Sequence, residues 1–409
     1  MNWIRCDADQ SPEHLGTWLQ MLLCQMPELA LRLASQCRPG HSATVMSNPT
    51  TSASSVRCLV AFDDGARAIV RFPIPSRTNS CLRKCSNEVS IMRYVARTTI
   101  IPVPTGTLLA NRLDPNLIIK AELKRAYHCM AQVMLELSKL TFPQIGALVQ
   151  TADSKWSIQS MEQGRALTAT MADTLRPYSM PSTFPTKTFT TASEYFTDLA
   201  TQHLRHLYHQ RNSGLLPDNH AWKEKYIARC LFRRIARSLK TEPGPFRLYS
   251  DDFSPANVLV LPNDTSPNNT HNPDQPYATA DFSVTAVTNW SSTYIAPNEF
   301  TYTAPWWLLF QSPAGWEHDL QLYLTRQTPH LDLFLTVLRE IEDKAIAREV
   351  MEASRRLSSR MAESLHNGLF WFCLAARKGS VLDDVYWEFL DERWFGRLGS
   401  VDERLGLLS

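Results

Sequence analysis

Glycine is scarce in this chain, with 14 residues among 409. Glycine lets the backbone approach a phosphate group closely, because it has no Cβ and adopts positive φ angles readily. A chain with so few glycines has little material for a glycine-rich phosphate loop. The stretch 47–52, Ser-Asn-Pro-Thr-Thr-Ser, contains no glycine at all.

The sequence also lacks the features of a membrane or nucleic-acid-binding protein. No apolar run approaches the ~20 residues that a membrane-spanning helix needs. The formal net charge is only +2, so no strong electric field draws the chain to nucleic acid or to a membrane surface. Residues 1–7 include an acid early and lack the basic-then-apolar order of a signal peptide. These absences predict a cytoplasmic protein without nucleic-acid or membrane partners, and they leave its oligomeric state open.

The nine cysteines are scattered along the chain and follow no disulfide framework. An odd number without regular spacing is typical of reduced thiols inside a cell. Cys81 and Cys85 are the closest pair, but the sequence nearby supplies no further ligands to complete a metal site.

What is present indicates an ordinary globular protein with two or three lobes. Hydrophobic residues make up 44% of the chain and charged residues 20%, and 409 residues are enough for a sizeable core. The pattern predicts a strand at 56–62, a hairpin turn at 63–65 and a returning strand at 66–72. An amphipathic helix is predicted at 87–97. This order predicts a small mixed lobe.

The rest of the chain is mainly helical in pattern. Apolar residues at spacings of three and four predict a helix at 13–35, and the pattern is also helical at 121–140, 191–211 and 222–239. The segments 316–326, 331–377 and 381–389 are predicted to be mostly helical. The segments 39–55 and 261–279 are rich in Pro, Asn, Ser and Thr and are predicted to be loops. The predicted fold class is α+β, with a small mixed lobe and a large, mainly helical lobe.

The most informative segment is 248–260, Leu-Tyr-Ser-Asp-Asp-Phe-Ser-Pro-Ala-Asn-Val-Leu-Val. Asp252 lies five residues before Asn257, and an apolar run typical of a buried strand follows at once. In a phosphotransferase, an Asp must reach the hydroxyl that is phosphorylated, and an Asn must reach the magnesium ion on the nucleotide phosphates. One tight loop entering a strand can direct both side chains to the same place. The segment has the layout of a phosphotransferase catalytic loop.

With this loop and its surroundings, the chain resembles the fungal branch of the aminoglycoside phosphotransferase and choline kinase-like family, in the protein kinase-like superfamily. The resemblance is carried by the catalytic loop and by the segments 62–65, 68–73, 87–95, 101–104, 244–248, 294–300 and 304–309. It implies a two-lobed protein kinase-like fold. It also implies transfer of the γ-phosphoryl group of ATP, with Mg²⁺, to a hydroxyl of a small molecule.

The resemblance divides the chain into three parts. Residues 1–55 are an N-terminal helical and loop extension, 56–115 the small lobe and 116–409 the large helical lobe with a C-terminal helical extension. The small lobe is short, because 105–121 leaves no room for the hinge whose backbone hydrogen-bonds adenine in the family. The acceptor molecule is not readable from the sequence. Three tryptophans in the large lobe either line an acceptor site or belong to the core: Trp306, Trp307 and Trp316.

The family's functional residues carry over to five positions. Asp252 matches the catalytic Asp, which orients and deprotonates the acceptor hydroxyl, and Asn257 matches the magnesium-binding Asn. Asn289 stands where the family has its second metal ligand. Arg71 stands where a small-lobe strand presents a cation to the phosphates, and Glu88 where a helix carboxylate pairs with that cation.

The sequence departs from the family pattern inside the catalytic site. The loop position usually occupied by His is Ser250. The family's Val-Ile-Asp-Trp-Glu run is Val-Thr-Asn-Trp-Ser at 287–291, so a neutral amide replaces the metal-binding carboxylate and Ser291 replaces the following Glu. An amide oxygen is a poorer ligand for a hard cation. Asp281 is a weaker candidate for the missing acid, because the flanking residues favour Asn289.

Three hypotheses follow from these observations. The first is a small-molecule kinase of this family, which the changed site has made degenerate. The second is a catalytically inactive pseudokinase that binds a ligand or a partner protein. The third is an unrelated helical interaction protein with a chance match in one loop. The first two predict that Asp252, Asn257 and Asn289 converge on a cleft between the lobes, with Arg71 on its roof facing Glu88.

Overall fold

The computed structural model describes residues 12–51, 55–74, 81–99, 101, 107–109, 120–161, 185–212, 219–262, 282–309, 320–397 and 400–408. It is a mixed structure of helices and strands. The described chain divides into two compact units, of which the first contains the residues up to Cys85 and the second begins at Ser86. Among the described residues, none of the helices is both long and apolar enough to span a membrane.

The first unit consists of one long helix and a four-stranded antiparallel sheet. Its elements are α1 (Pro12–Cys37), β1 (Ala43–Met46), β2 (Thr50–Thr51), β3 (Ser55–Phe62) and β4 (Arg67–Pro73). Strand β3 is central and pairs with the other three strands. Alternate residues of β3 are buried and pack with one face of α1, because side chains of a strand point to opposite faces in turn.

One prediction for this sheet is confirmed and another is wrong. The predicted hairpin turn is present between β3 and β4, where Gly65 has a φ of +82° that suits glycine. The segment 39–55 was predicted to be a loop, and it instead contains β1 and β2. Both are short and mostly exposed, so they show no apolar alternation that a pattern could detect.

The second unit contains the remaining helices and eight strands of the described chain. Its helices are α2 (Cys81–Thr98), of which the residues from Ser86 onward belong to this unit, α3 (Lys120–Ser138), α4 (Ala192–Asn212), α5 (Asn219–Ser238), α6 (Asn298–Thr301), α7 (Leu320–Ala347), α8 (Leu357–His366), α9 (Leu369–Arg377), α10 (Leu382–Val385) and α11 (Asp391–Phe395). Its strands are β5 (Thr107–Leu108), β6 (Thr141–Phe142), β7 (Ala147–Gln150), β8 (Trp156–Gln159), β9 (Phe246–Ser250), β10 (Val258–Pro262), β11 (Phe282–Val287) and β12 (Thr293–Ala296).

These strands form small sheets embedded among the helices. The sheets have the orders β11-β10-β5, β12-β9-β6 and β7-β8, and all pairs are antiparallel. The largest hydrophobic core of the chain surrounds them. Helix α9 lies within that core, and its residues from Phe370 to Arg377 are all buried. The sheets therefore lie inside the core of the second unit.

The shortened hinge region is only partly described. Thr107 and Leu108 form β5, a short strand that pairs with β10, while 102–106 and 110–119 lie outside the described residues. The predicted insertion at 261–279 and Asp281 also fall mainly or wholly outside them. The segments 316–326 and 331–377, predicted to be mostly helical, contain α7, α8 and α9 in their described part. Helix α7 continues through Pro329, between the two predicted segments, and ends at Ala347.

Candidate functional site

The candidate site is formed by two loops of the second unit, each of which joins a strand of one sheet to a strand of another. The first loop joins β9 to β10 and contains 251–257, and the second joins β11 to β12 and contains 288–292. Strand β10 pairs with β11 and β9 pairs with β12, so the pairing brings the two loops side by side. Backbone hydrogen bonds join them directly, from Asp251 N to Ser292 O at 3.0 Å and from Thr288 N to Asn257 O at 2.7 Å.

The first loop is closed by a single turn of 3₁₀ helix at Pro255–Asn257. Proline suits the first position of such a turn, because its missing N–H would have no partner there. The Asn257 side chain folds back over the loop, and its Nδ2 donates a hydrogen bond of 2.6 Å to the backbone carbonyl of Asp252. The Asp-x4-Asn spacing thus closes the loop as well as placing its two polar side chains.

The structure brings Asp252 and Asn289 into direct contact. The Asn289 Nδ2 donates a hydrogen bond to Oδ2 of the Asp252 carboxylate. The Asn289 Oδ1 accepts a hydrogen bond of 2.9 Å from the Ser291 hydroxyl. This orientation of the amide is the favourable one, because its N–H faces an anion and its carbonyl faces a hydroxyl donor. Asp252, Asn257 and Asn289 therefore lie together, while the catalytic and metal-binding roles assigned to them stay predictions.

The backbone of Asn289 is in the left-handed region, with φ 62° and ψ 56°. Asparagine adopts this conformation more readily than most residues, because its short amide can hydrogen-bond locally. The turn that follows, Trp290–Ser292, is fixed by the Trp290 indole, which donates to the carbonyl of Val287 at 2.8 Å. The special backbone conformation directs the Asn289 side chain toward Asp252.

The residues present do not fit a magnesium site in this arrangement. Mg²⁺ prefers charged oxygen ligands and is usually held by one or two carboxylates together with phosphate oxygens. Asp252 is the one carboxylate of the three residues, and its Oδ2 receives an N–H from Asn289. The carbonyl oxygen of Asn289 is engaged by Ser291. A hydrogen-bonded amide thus stands where the family resemblance expects a metal-bound carboxylate.

A buried ion pair anchors the 251–257 loop to the core, and the sequence pattern did not reveal it. Asp251 and Arg377 are each only 2% exposed, and Oδ1 of Asp251 lies 3.9 Å from an Nη1 of Arg377. The same guanidinium donates to the Tyr249 hydroxyl and lies over the rings of Tyr249 and Phe300 at 5.3 and 5.2 Å. Asp251 is therefore a buried support of the loop and does not face solvent beside Asp252, which is exposed.

The electrostatics of this support agree with its geometry. Burial opposes a charge on Arg377, but the neighbouring Tyr249 and Asp251 outweigh it and raise the pKa of the guanidinium. Burial raises the pKa of the Tyr249 hydroxyl to about 12; the Arg377 guanidinium acts to lower this pKa and the Asp251 carboxylate acts to raise it. Arg377 therefore stays charged and Tyr249 stays neutral. This agrees with the hydrogen bond that the guanidinium donates to the Tyr249 hydroxyl.

Two further contacts fix the loop to the core. Phe253 packs edge-on against Trp307, with ring centroids 6.2 Å apart, and Trp307 packs in the same way against Phe334 at 5.6 Å. Trp307 is 2% exposed and belongs to the core. Trp306 packs at the edge of the core, and Trp316 lies outside the described residues. Trp307 therefore supports the loop and does not line an acceptor site.

The remaining predicted site residues lie on separate elements. Arg71 is on β4 of the first unit, opposite Arg57 of β3. Glu88 is on α2 in the second unit and is 5% exposed. The predicted ion pair between Arg71 and Glu88 stays a prediction. The neighbour of Glu88, Asn87, was not singled out from the sequence, yet its buried side chain donates to the backbone carbonyl of Thr293 at 3.1 Å and so ties α2 to β12.

Comparisons with known proteins give little independent guidance. No protein-family model matches the sequence. No curated protein matches it either. Among solved structures, the chain is similar to a thermostable mutant of an aminoglycoside phosphotransferase, crystallised as a ternary complex with AMP-PNP and hygromycin B. The identity is 15%, the TM-score is 0.40, and the alignment covers 87% of this chain and 97% of that one. A similarity of this size carries no conclusion about activity.

Proposed function

We propose that this chain is related to kinase-like phosphotransferases but has a degenerate magnesium site. On this proposal it acts as a pseudokinase, which binds a ligand or a partner protein. The observation that carries the proposal is the hydrogen bond from the Asn289 amide to the Asp252 carboxylate. The Asp-x4-Asn loop is retained and well anchored. The position that would supply a second metal carboxylate instead supplies an N–H donor.

The missing group is a metal-binding carboxylate, and metal binding contributes strongly to catalysis of phosphoryl transfer. Such enzymes rely on positioning and on neutralisation of phosphate charge, because the transferred group needs little covalent assistance. A metal ion supplies several kcal/mol of that stabilisation. A chain whose amide occupies one ligand position binds a magnesium–nucleotide complex poorly and transfers its phosphoryl group slowly.

A second candidate function is favoured by the exposure of Asp252. The carboxylate lies at the surface of the second unit, and its Oδ2 accepts a hydrogen bond from the Asn289 amide. An exposed carboxylate on a rigid loop is what a general base needs. The alternative is therefore an active small-molecule kinase in which Asp252 acts as the general base for the acceptor hydroxyl.

One titration separates the two functions. Calorimetric titration of ATP into the full-length chain, with and without Mg²⁺, measures whether the nucleotide affinity depends on the metal. The pseudokinase proposal expects weak binding that Mg²⁺ does not strengthen. Strong binding that requires Mg²⁺ would overturn it and favour the active kinase, in which case single-turnover transfer to candidate alcohols is the next measurement.

A further inference from the structure

A cavity of about 700 Å³ lies in the second unit, away from the candidate site. Its volume is within the range of pockets that hold small organic ligands. The walls come from the C-terminal parts of α3 and α7, from Arg247 of β9 and from the start of β11. Asp252, Asn257 and Asn289 are not among the residues that line it.

The cavity lies at the opposite ends of the strands that carry the candidate site. Arg247 is three residues before the end of β9 at Ser250, and Val284 is three residues before the end of β11 at Val287. Three residues of extended strand span about 10 Å. The loops with Asp252 and Asn289 begin beyond these strand ends, about 10 Å from the residues that line the cavity. The cavity is therefore a separate site.

Half of the residues that line the cavity are apolar, and several of these are incompletely buried. Val284, Ile341 and Met351 are only partly buried although they pack against the core, and Val350 is 65% exposed. Val350 follows the end of α7 in a hydrogen-bonded turn, with its N–H 2.9 Å from the carbonyl of Ala345. An apolar residue at this position normally packs back on the helix. Here it borders the cavity, so an apolar ligand would cover surface that the chain leaves exposed.

The charged groups of the wall leave one cation available. Glu136 pairs with Lys139, and Glu352 pairs with Arg355 at 3.6 Å. Arg247 forms no ion pair with a carboxylate of the described residues, and its buried Nε has no hydrogen-bond acceptor among them. Its guanidinium lies 5.9 Å from the ring of Tyr302 and hydrogen-bonds the hydroxyl of that residue, so the Nε is the donor left without an acceptor in the described part of the chain. A buried donor without an acceptor costs free energy that a ligand can recover.

The acids and helix ends nearby determine where an anion can bind. Glu242, the acid next to Tyr302, is already occupied by Arg360 and by the Tyr302 hydroxyl. Helices α3 and α7 both end at the cavity, and the C-terminal end of a helix carries partial negative charge. Glu349, exposed in the turn after α7, adds to that charge. An anionic group is therefore disfavoured on that side and favoured on the β9 side, at Arg247.

From these observations we infer that the cavity binds a small amphipathic carboxylate. The carboxylate pairs with the Arg247 guanidinium, and the apolar body lies along Val284, Ile341, Val350 and Met351. Arginine suits this role, because its planar fork binds both oxygens of a carboxylate at once. The inference does not rest on the proposed phosphotransferase function, since it uses none of the residues of that site.

The test uses decanoate as the probe and decanol as the matched compound without a carboxylate. Calorimetric titration of the full-length chain should show saturable binding of decanoate and at least about tenfold weaker binding of decanol, as expected for loss of a charge-assisted pair. Equal binding of the two compounds would overturn the recognition by Arg247. Absence of decanoate binding, together with absence of hexanoate and tetradecanoate binding, would overturn the proposal as a whole.

Two variants locate the binding. Arg247→Ala should weaken decanoate binding by about tenfold or more and leave decanol binding unchanged. Val350→Glu adds a further acid to the wall of the cavity and should also weaken decanoate binding. Because Val350 is exposed, this variant should fold even if Arg247→Ala does not. Val45→Glu is the control, because Val45 is 61% exposed but lies on β1 of the first unit. Equal loss of affinity in Val350→Glu and Val45→Glu would overturn the assignment to this cavity.

Discussion

The side-chain amide of Asn289 donates a hydrogen bond to the carboxylate of Asp252 across two adjacent loops. The two residues are 37 positions apart in sequence, and the β10–β11 and β9–β12 pairings bring them together. The contact satisfies both groups without a cation. A carboxylate at position 289 would instead place two like charges side by side, which is stable only with a cation or a proton between them.

Replacing Asn289 by Asp should therefore create a metal dependence. We expect Asn289→Asp to bind ATP about tenfold or more tightly with Mg²⁺ than without it, because a second charged oxygen becomes available to the cation. Without Mg²⁺, the like charges should lower the melting temperature of the variant, and added Mg²⁺ should restore it. Calorimetry measures the first effect and thermal unfolding the second.

The control for this experiment is Ser291→Ala, which removes the hydroxyl that binds Asn289 Oδ1 but adds no charge. It should show no gain in Mg²⁺-dependent binding. Strong Mg²⁺-dependent binding of ATP by the unmodified chain, with no gain in Asn289→Asp, would contradict the degenerate-site proposal.

The buried pair of Asp251 and Arg377 leads to a prediction about stability. Replacing Arg377 by Met should lower the free energy of unfolding by about 3–5 kcal/mol, because it leaves the Asp251 carboxylate buried without its cation. Adding Asp251→Asn to that variant should recover part of the loss, since the uncompensated charge disappears. Urea unfolding of both single variants and the double variant measures the coupling.

A matched control is the half-exposed pair of Arg360 and Glu242. Arg360→Met should cost about 1 kcal/mol or less through its charge, because solvent screens exposed ion pairs. If Arg377→Met costs no more than Arg360→Met, the support of the loop by Arg377 is unimportant for stability.

The sequence predicted the local part of the candidate site and missed its long-range support. Asp252 and Asn257 lie within one loop, so their spacing alone indicates that they act together. Arg377 contacts Tyr249 across 128 positions, and no periodic pattern connects residues so far apart. Trp307 was considered as an acceptor-site residue, because an aromatic residue looks the same in sequence whether it lines a pocket or a core.

The same limit explains the errors in the fold. Strands β1 and β2 pair with β3, and they are too short and too exposed to show the apolar alternation of a half-buried strand. The segments predicted to be helical, 316–326 and 331–377, leave a gap that contains Pro329, yet α7 continues through it. Proline removes one backbone donor, and a long helix packed on α3 retains enough contacts to tolerate that loss.

The turn after α7 offers a stabilising substitution. Glu349 has a φ of 58°, and its N–H lies 2.9 Å from the carbonyl of Ile346 in a turn that usually contains glycine. We expect Glu349→Gly to raise the free energy of unfolding by about 1 kcal/mol, because glycine has no Cβ to strain this conformation. Glu349→Ala is the control, since it removes the charge but keeps the Cβ. A gain of equal size in both variants would show that charge, and not backbone strain, is responsible.

A buried histidine should make the stability depend on pH. Burial lowers the pKa of His203 to about 4, although its hydrogen bond to the carbonyl of Ala376 acts in the opposite direction. The Arg229 guanidinium next to it also disfavours the imidazolium, while Asp383, which pairs with Arg229, favours it. His203 Nδ1 is buried and has no hydrogen-bond partner among the described residues, so a second ring proton would have no acceptor there.

The sign of the effect follows from comparing the two states. Unfolded His203 takes up a proton below its ordinary pKa of 6.5, whereas the folded residue does so only near 4, so between these values the unfolded state binds more protons. Its contribution to stability is complete above pH 6.5 and should fall by about 3 kcal/mol as the pH drops to 4. Urea unfolding across this range measures it, and His203→Asn should flatten that part of the profile. The control His220→Asn removes a histidine that is 78% exposed and should leave the profile unchanged. An unaltered profile in His203→Asn would assign the pH dependence to other groups.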